Sequence, residues 1–254
     1  MIEPIHAFMD ESGVHKGSPV VTVAMYAAQQ HDWRAFVHDW NAAKQPIKIV
    51  HAVDCANRTG EFNGWDPQQR NAFAAKLLPV LASHNVIGVA VGIHLGAFEK
   101  AMAAHPELRE MVGTPYSACF QWTVQTFLNT MGRLGYDQSV RFFHERNDYE
   151  TEARAAFDFV QGHRPTVEPI TLGFLNKDAA VEMQAADVLT YEANHVVRSP
   201  RDARRPSWKA IDPNRDKITL LHYGEGNMQS LVLTLLDFRK RALAAGWDGI
   251  VAAS

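Results

Sequence analysis

Apolar runs of strand length alternate along this chain with stretches in which apolar residues recur every three or four positions, the signature of an α/β fold. The pattern predicts strands at about 4–10, 19–27, 47–51, 86–94, 139–145 and 167–174, and helices at about 31–44, 66–84, 114–134, 149–162, 179–197 and 226–245. Pro19-Val20-Val21-Thr22-Val23 and Val86-Ile87-Gly88-Val89-Ala90-Val91 are almost continuously apolar and rich in β-branched residues, as strands covered on both faces are. After the first strand, Asp10-Glu11-Ser12-Gly13 offers a sharp turn at Gly13, so the sheet is expected to open on an antiparallel hairpin. Asp66-Pro67 and Thr114-Pro115 each pair a capping residue with a proline at the first helical position. No internal repeat, low-complexity tract or Gly/Ser linker divides the chain. The expectation is a single domain over 1–254, a mixed sheet flanked by helices, closing on a C-terminal helix.

A chain of 254 residues, 46% apolar, can bury a substantial core without a disulfide or metal staple. A charged fraction of 21%, with 16 glycines and 12 prolines, excludes wholesale disorder and collagen-like structure. The opening Met-Ile-Glu-Pro-Ile-His lacks the basic segment and apolar core of a secretory signal. The most apolar stretch, Leu77 to Leu95, is broken by Ser83, His84 and Asn85, so no membrane span is expected. Cys55 and Cys119 are the only cysteines and form no Cys-x-x-Cys pair, which fits a reduced, cytoplasmic compartment.

The net charge of −3 is unevenly spread. The gap at about 198–225 reads as a loop broken by three prolines. Between 198 and 217 it carries Arg198, Arg201, Arg204, Arg205, Lys209, Arg215 and Lys217 against Asp202, Asp212 and Asp216, a local +4 against −7 for the rest of the chain. Such a segment either holds a polyanion through arginine–phosphate contacts or is a solvated surface.

Three acids stand out. Asp187 lies on the stripe Ala180, Met183, Gln184, Asp187, Val188 and Tyr191, so it points where the apolar residues point. A carboxylate there needs a cation or strong donors, whether for structure or for function. Asp10 ends the first strand beside Glu11, and open α/β sheets place ligands at the carboxyl ends of strands. Glu145 ends Ser139-Val140-Arg141-Phe142-Phe143-His144-Glu145; if that strand is parallel to the first, either His144 or Glu145 faces the Asp10 side. Three carboxylates so placed suit a hard cation, Mg²⁺ or Mn²⁺. His51, after another short strand, could ligate a metal, orient a water, bind phosphate, or be structural; Cys55 reads as an inert thiol. Zinc is disfavoured, because no His-Glu-x-x-His or paired cysteines occur, and the Gly-x-x-x-x-Gly-Lys and Gly-x-Ser-x-Gly motifs are absent.

Phe8-Met9-Asp10-Glu11-Ser12-Gly13, His51-Ala52-Val53-Asp54 with Gly60-Glu61-Phe62 and Trp65, Phe142-Phe143-His144-Glu145 and Met183-Gln184-Ala185-Ala186-Asp187-Val188-Leu189-Thr190-Tyr191-Glu192 together resemble the "domain of unknown function 3800" family, in order and approximate spacing from about residue 5 to 240. The late Gln-Ala-Ala-Asp segment is the most specific of these. The resemblance implies a ribonuclease H-like fold and a metal-dependent nuclease site in which Asp10, Glu145 and Asp187 are ligands and Glu11 a further candidate. The chain departs from the family where an acid followed by His-Gly is frequent: Glu145 is followed by Arg146-Asn147-Asp148.

Two functions compete. One is a Mg²⁺- or Mn²⁺-dependent phosphodiesterase acting on nucleic acid, with Asp10, Glu145 and Asp187 holding metal, His51 or Glu11 orienting water, and Arg201, Arg204 and Arg205 gripping the nucleic-acid backbone. The other is a non-catalytic nucleic-acid-binding or protein-interaction domain whose acids form salt bridges with Arg141 or Arg146.

Overall fold

The computed structural model describes residues 3–136, 138–163 and 169–244. Six strands form one sheet: β1 (Ile5–Ser12), β2 (Val20–Gln29), β3 (Ile87–His94), β4 (Val140–Glu145), β5 (Ile170–Leu175) and β6 (Ile218–Tyr223). The helices are α1 (Gln30–Ala43), α2 (Ala52–Asn57), α3 (Pro67–Ser83), α4 (Leu95–Ala104), α5 (Pro106–Val112), α6 (Pro115–Arg133), α7 (Glu150–Gly162), α8 (Val181–Arg198), α9 (Pro206–Ile211) and α10 (Met228–Ala244).

The strand order is β5-β4-β1-β2-β3-β6. β2 runs antiparallel to both neighbours, whereas β1–β4, β4–β5 and β3–β6 are parallel. This is the mixed sheet flanked by helices that the sequence pattern leads one to expect, opening on its antiparallel hairpin. Gly13 makes that hairpin possible: its φ is +80°, and a Cβ there would stand 2.0 Å from the Val20 carbonyl oxygen.

Alternation along the strands sorts the core into two layers. Ala7, Met9, Val23, Met25, Val89 and Val91 face α4, α5, α6, α7 and α10. Phe8, Ala24, Tyr26 and Ala90 face α1, α2, α3, α8 and α9. On this second face α8 crosses β1, β2 and β3 closely. Gly92 allows the approach, because a Cβ at that position would meet Val197 Cγ2 at 2.6 Å.

Two expectations are corrected. Residues 47–51 are not a strand. Their backbone donors go elsewhere than to a neighbouring strand: Ile47 N–H turns back to the Lys44 carbonyl at 2.8 Å, Glu61 accepts from Lys48 and Ile49 at 2.8 and 2.9 Å, and Gln184 accepts from Val50 at 3.1 Å. The segment 198–225 is not an irregular loop either, since it holds a 3₁₀ turn at Pro200–Arg204, α9 and β6. Pro200 and Pro206 stand at first helical positions, where a missing N–H costs nothing, so they start helices instead of breaking them. The expected strand at 167–174 begins at residues that lie outside the described ones, as does the final residue of the helix expected at 226–245.

Candidate functional site: an acid cluster around Lys177

Three elements bring three carboxylates to one point. Asp10 projects from β1 and Glu145 ends the parallel neighbour β4; both lie on the α8 face, next to the stacked pair Phe8–Phe143 at 5.2 Å between centroids. Asp187 comes down from α8 onto the same spot. Alternation sends His144 and Glu11 to the other face, so Glu145 is the member of its pair that shares the Asp10 side.

The point of convergence carries the ammonium of Lys177. Its Nζ lies 2.9 Å from Asp187 Oδ1, 3.0 Å from Glu145 Oε2 and 3.5 Å from Asp10 Oδ2. Lys177 stands in the turn between β5 and α8, with its side chain only 11% exposed. Burial alone would lower its pKa, but the charges of Asp10, Asp187 and Glu145 outweigh burial and raise it, keeping the ammonium charged. Burial pushes the Asp10 carboxyl well above the usual range; Lys177 opposes that shift, and Asp187, Glu11 and Glu145 add to it. The expectation that Arg141 or Arg146 would pair these acids is corrected: Lys177 does so, and Arg146 pairs with Glu150 at 3.3 Å.

The carboxylates are held from behind. Asp10 Oδ1 accepts the Glu11 N–H at 2.8 Å, and Asp187 Oδ2 accepts the Ala52 N–H at 2.5 Å. One turn earlier on α8, Gln184 Oε1 accepts from Val50 N–H and from Trp40 Nε1–H at 3.2 Å. Gln184 and Asp187 thus pin the entry to α2 at both ends. Farther along, Thr190 Oγ1 donates to the Asp10 carbonyl at 3.2 Å, and Asn194 Nδ2 donates to Thr22 Oγ1 at 3.2 Å. The Gln-Ala-Ala-Asp segment is therefore a clamp as well as an acid donor.

His51 precedes α2 and is half-exposed, with Nδ1 3.3 Å from Asp54 Oδ2 and Nε2 3.7 Å from Asp187 Oδ1. It borders the cluster without being a member of the Lys177 shell. Behind it, burial pushes the Cys55 thiol up to about 11, as an inert thiol requires.

Glu11 adjoins the cluster on the far side of the strand. Its Oε1 accepts from Asn147 Nδ2 at 2.7 Å. Its Oε2 is buried without a hydrogen-bond partner. The nearest group is His144 Nε2 at 3.4 Å, and a chain of contacts explains why it does not help. His144 Nδ1 faces the Glu145 carbonyl at 2.8 Å, so the proton sits on Nδ1 and Nε2 accepts from Tyr116 OH at 3.1 Å. Burial lowers the His144 pKa to about 4, which keeps the ring neutral. A lone pair therefore meets the carboxylate. Burial first, and then the Glu145 charge, raise the Glu11 pKa to about 7.

Arg201 and Arg204 are exposed on the 3₁₀ turn after α8. Arg205 is turned inward: it lies 3.4 Å from Glu192 Oε1 and stacks 5.9 Å above Tyr191. Sequence reasoning did not find Lys177, Asn147 or Tyr116. The available signal for Lys177 was the demand of three buried acids for a cation, which a strand-to-helix turn ten residues before Asp187 is well placed to meet.

The resemblance implies a divalent metal, and the donor set can be tested against one. Among the described residues no three His, Cys, Asp or Glu side chains stand in ready-made metal-ligand geometry. The chemistry of the donor set nevertheless fits: three carboxylates from fixed elements converge on one cation position. The fit requires the ammonium to move aside.

No family model matches the chain, and no curated protein matches it. Among solved structures the chain is similar to one described as the PCNA:RNase HII complex from Archaeoglobus fulgidus, with a TM-score of 0.40 and 12% identity over 96% of this chain and 90% of that chain. No described helix is long and apolar enough to cross a membrane.

Proposed function

We propose that this protein is a Mg²⁺- or Mn²⁺-dependent nuclease, as its resemblance to the "domain of unknown function 3800" family implies. The observation that carries the reading is the convergence of Asp10, Glu145 and Asp187, from two strands and a helix, on a single cation position. When bound there, a divalent ion would neutralise phosphate charge and lower the pKa of water. The chain's own groups supply the rest. Asp10, Glu145 and Asp187 would hold the ion. Glu11, with its pKa near 7 and a free oxygen, has the protonation balance of a general base at neutral pH. His51, at the open side of Asp187, orients water or a phosphate oxygen. Arg201 and Arg204 offer exposed cations to a nucleic-acid backbone; Arg205 does so only by leaving Glu192.

The test is cleavage of end-labelled single- and double-stranded RNA and DNA by purified protein, with Mg²⁺, Mn²⁺ or excess chelator. Metal-dependent cleavage of any of these supports the reading, and absence of cleavage throughout refutes it. One observation favours the rival reading of a non-catalytic binding domain: Lys177 already pairs with all three acids. Nucleic-acid binding that is indifferent to metal, without cleavage, would establish that rival.

A further inference from the structure

The acids of the cluster and the cation among them are held very differently. Asp10 and Asp187 are each fixed by a backbone N–H, at 2.8 and 2.5 Å, and Glu11 by Asn147 at 2.7 Å. Lys177 reaches them from a turn, on a flexible four-carbon stem, and is held by the carboxylates themselves. Asp10, Glu145 and Asp187 face this one ammonium, three carboxylates against a single positive charge. The anionic framework is therefore rigid and undercompensated, and its present cation is the movable part.

We propose that Lys177 is a resident counterion that competes with a divalent ion for Asp10, Glu145 and Asp187, and so sets the metal affinity of the site. This rests on the metal reading above and adds a regulatory element to it. With the ammonium in place the apo protein keeps its carboxylates converged without metal. Entry of a divalent ion must break the contacts at 2.9, 3.0 and 3.5 Å, and that competition weakens metal binding. An ammonium has one charge and no fixed geometry, so a divalent ion with oxygen ligands at about 2.0–2.6 Å replaces it when the concentration suffices.

Binding of MnCl₂ to the full chain, read by electron paramagnetic resonance of free Mn²⁺ and by calorimetry, tests this directly. Lys177→Met should bind Mn²⁺ at least about tenfold more tightly than the parent, a step of roughly 1.4 kcal/mol. Lys177→Arg, which keeps the charge, should stay within about threefold of the parent, on the order of 0.65 kcal/mol. Thermal unfolding guards against a folding defect: without metal Lys177→Met should melt below the parent, and saturating Mn²⁺ should raise its midpoint by more than it raises the parent's. Equal Mn²⁺ affinity in parent and Lys177→Met, or weaker binding by a folded Lys177→Met, overturns the competition while leaving the metal reading intact. Failure of all three proteins to bind Mn²⁺ overturns both.

Discussion

Lys177 and Asp187 stand ten residues apart in sequence and 2.9 Å apart in space, joined across the turn from β5 into α8. The same ammonium reaches Glu145 and Asp10, so one side chain links the turn after the edge strand β5, the strands β4 and β1, and the helix α8 that covers them. Disturbing any of these groups should be felt at the others.

Glu11 gives the protein a pH-dependent stability. Its folded-state pKa is about 7, against about 4.3 in an unfolded chain. Between those values the native protein keeps a proton that the unfolded chain has lost, so stability falls as pH rises through that window, by up to about 4 kcal/mol. Asp10, also raised, works in the same direction, and the depressed His144 works in the opposite one. The comparison with Glu11→Gln isolates Glu11, because glutamine keeps the acceptor for Asn147 and carries no charge. In chelator, urea unfolding should show the variant gaining on the parent as pH rises from 5 to 8. A constant difference between the two across that range would contradict the assignment.

Gln184 should matter for folding more than a surface glutamine does. Its Oε1 serves two buried donors, Val50 N–H and Trp40 Nε1–H. Gln184→Ala leaves both unsatisfied, at about 1–3 kcal/mol each. The expected loss of about 2–5 kcal/mol, measured by denaturant unfolding, should come with a disordered His51 in nuclear magnetic resonance spectra. A loss below about 1 kcal/mol would mean that water replaces the amide without cost.

The arginines should divide by function. Arg201→Ala with Arg204→Ala should lower the salt slope of nucleic-acid binding by roughly 2 and weaken binding alike for different sequences, with little change in stability. Arg205→Ala should instead destabilise the fold, since it strips a partner from Glu192, whose side chain is 6% exposed and whose pKa burial already raises. Binding by the double variant that matches the parent at every salt concentration would remove this surface from the account.

Much of this architecture can be read from the sequence, for identifiable reasons. β2 and β3 are covered on both faces and so read as unbroken apolar runs, and α3 and α6 begin on capping residues followed by proline. Residues 47–51 mislead because apolar side chains suggest a strand while the hydrogen-bond acceptors for their backbone come from Glu61 and Gln184, remote in sequence. Pro200 and Pro206 mislead because proline ends a helix in its interior and starts one at its first position. At the site, Asp10 and Asp187 stand out as acids in apolar company, whereas Lys177 sits in a polar turn where lysine is ordinary. Nothing in local pattern distinguishes a lysine that faces solvent from one that folds back onto three carboxylates.

The proposed activity is cleavage of phosphodiester bonds at the acid cluster with a divalent ion. It is tested most directly by Mn²⁺-dependent cleavage measured side by side for the parent, Asp10→Asn and Asp187→Asn, each shown to be folded by circular dichroism. Loss of a ligand should reduce the rate by more than the ~10–100-fold typical of outer-shell changes. The account predicts cleavage by the parent that chelator abolishes and that both variants lack. Cleavage at the parent's rate by either variant, or cleavage that survives excess chelator, would contradict it.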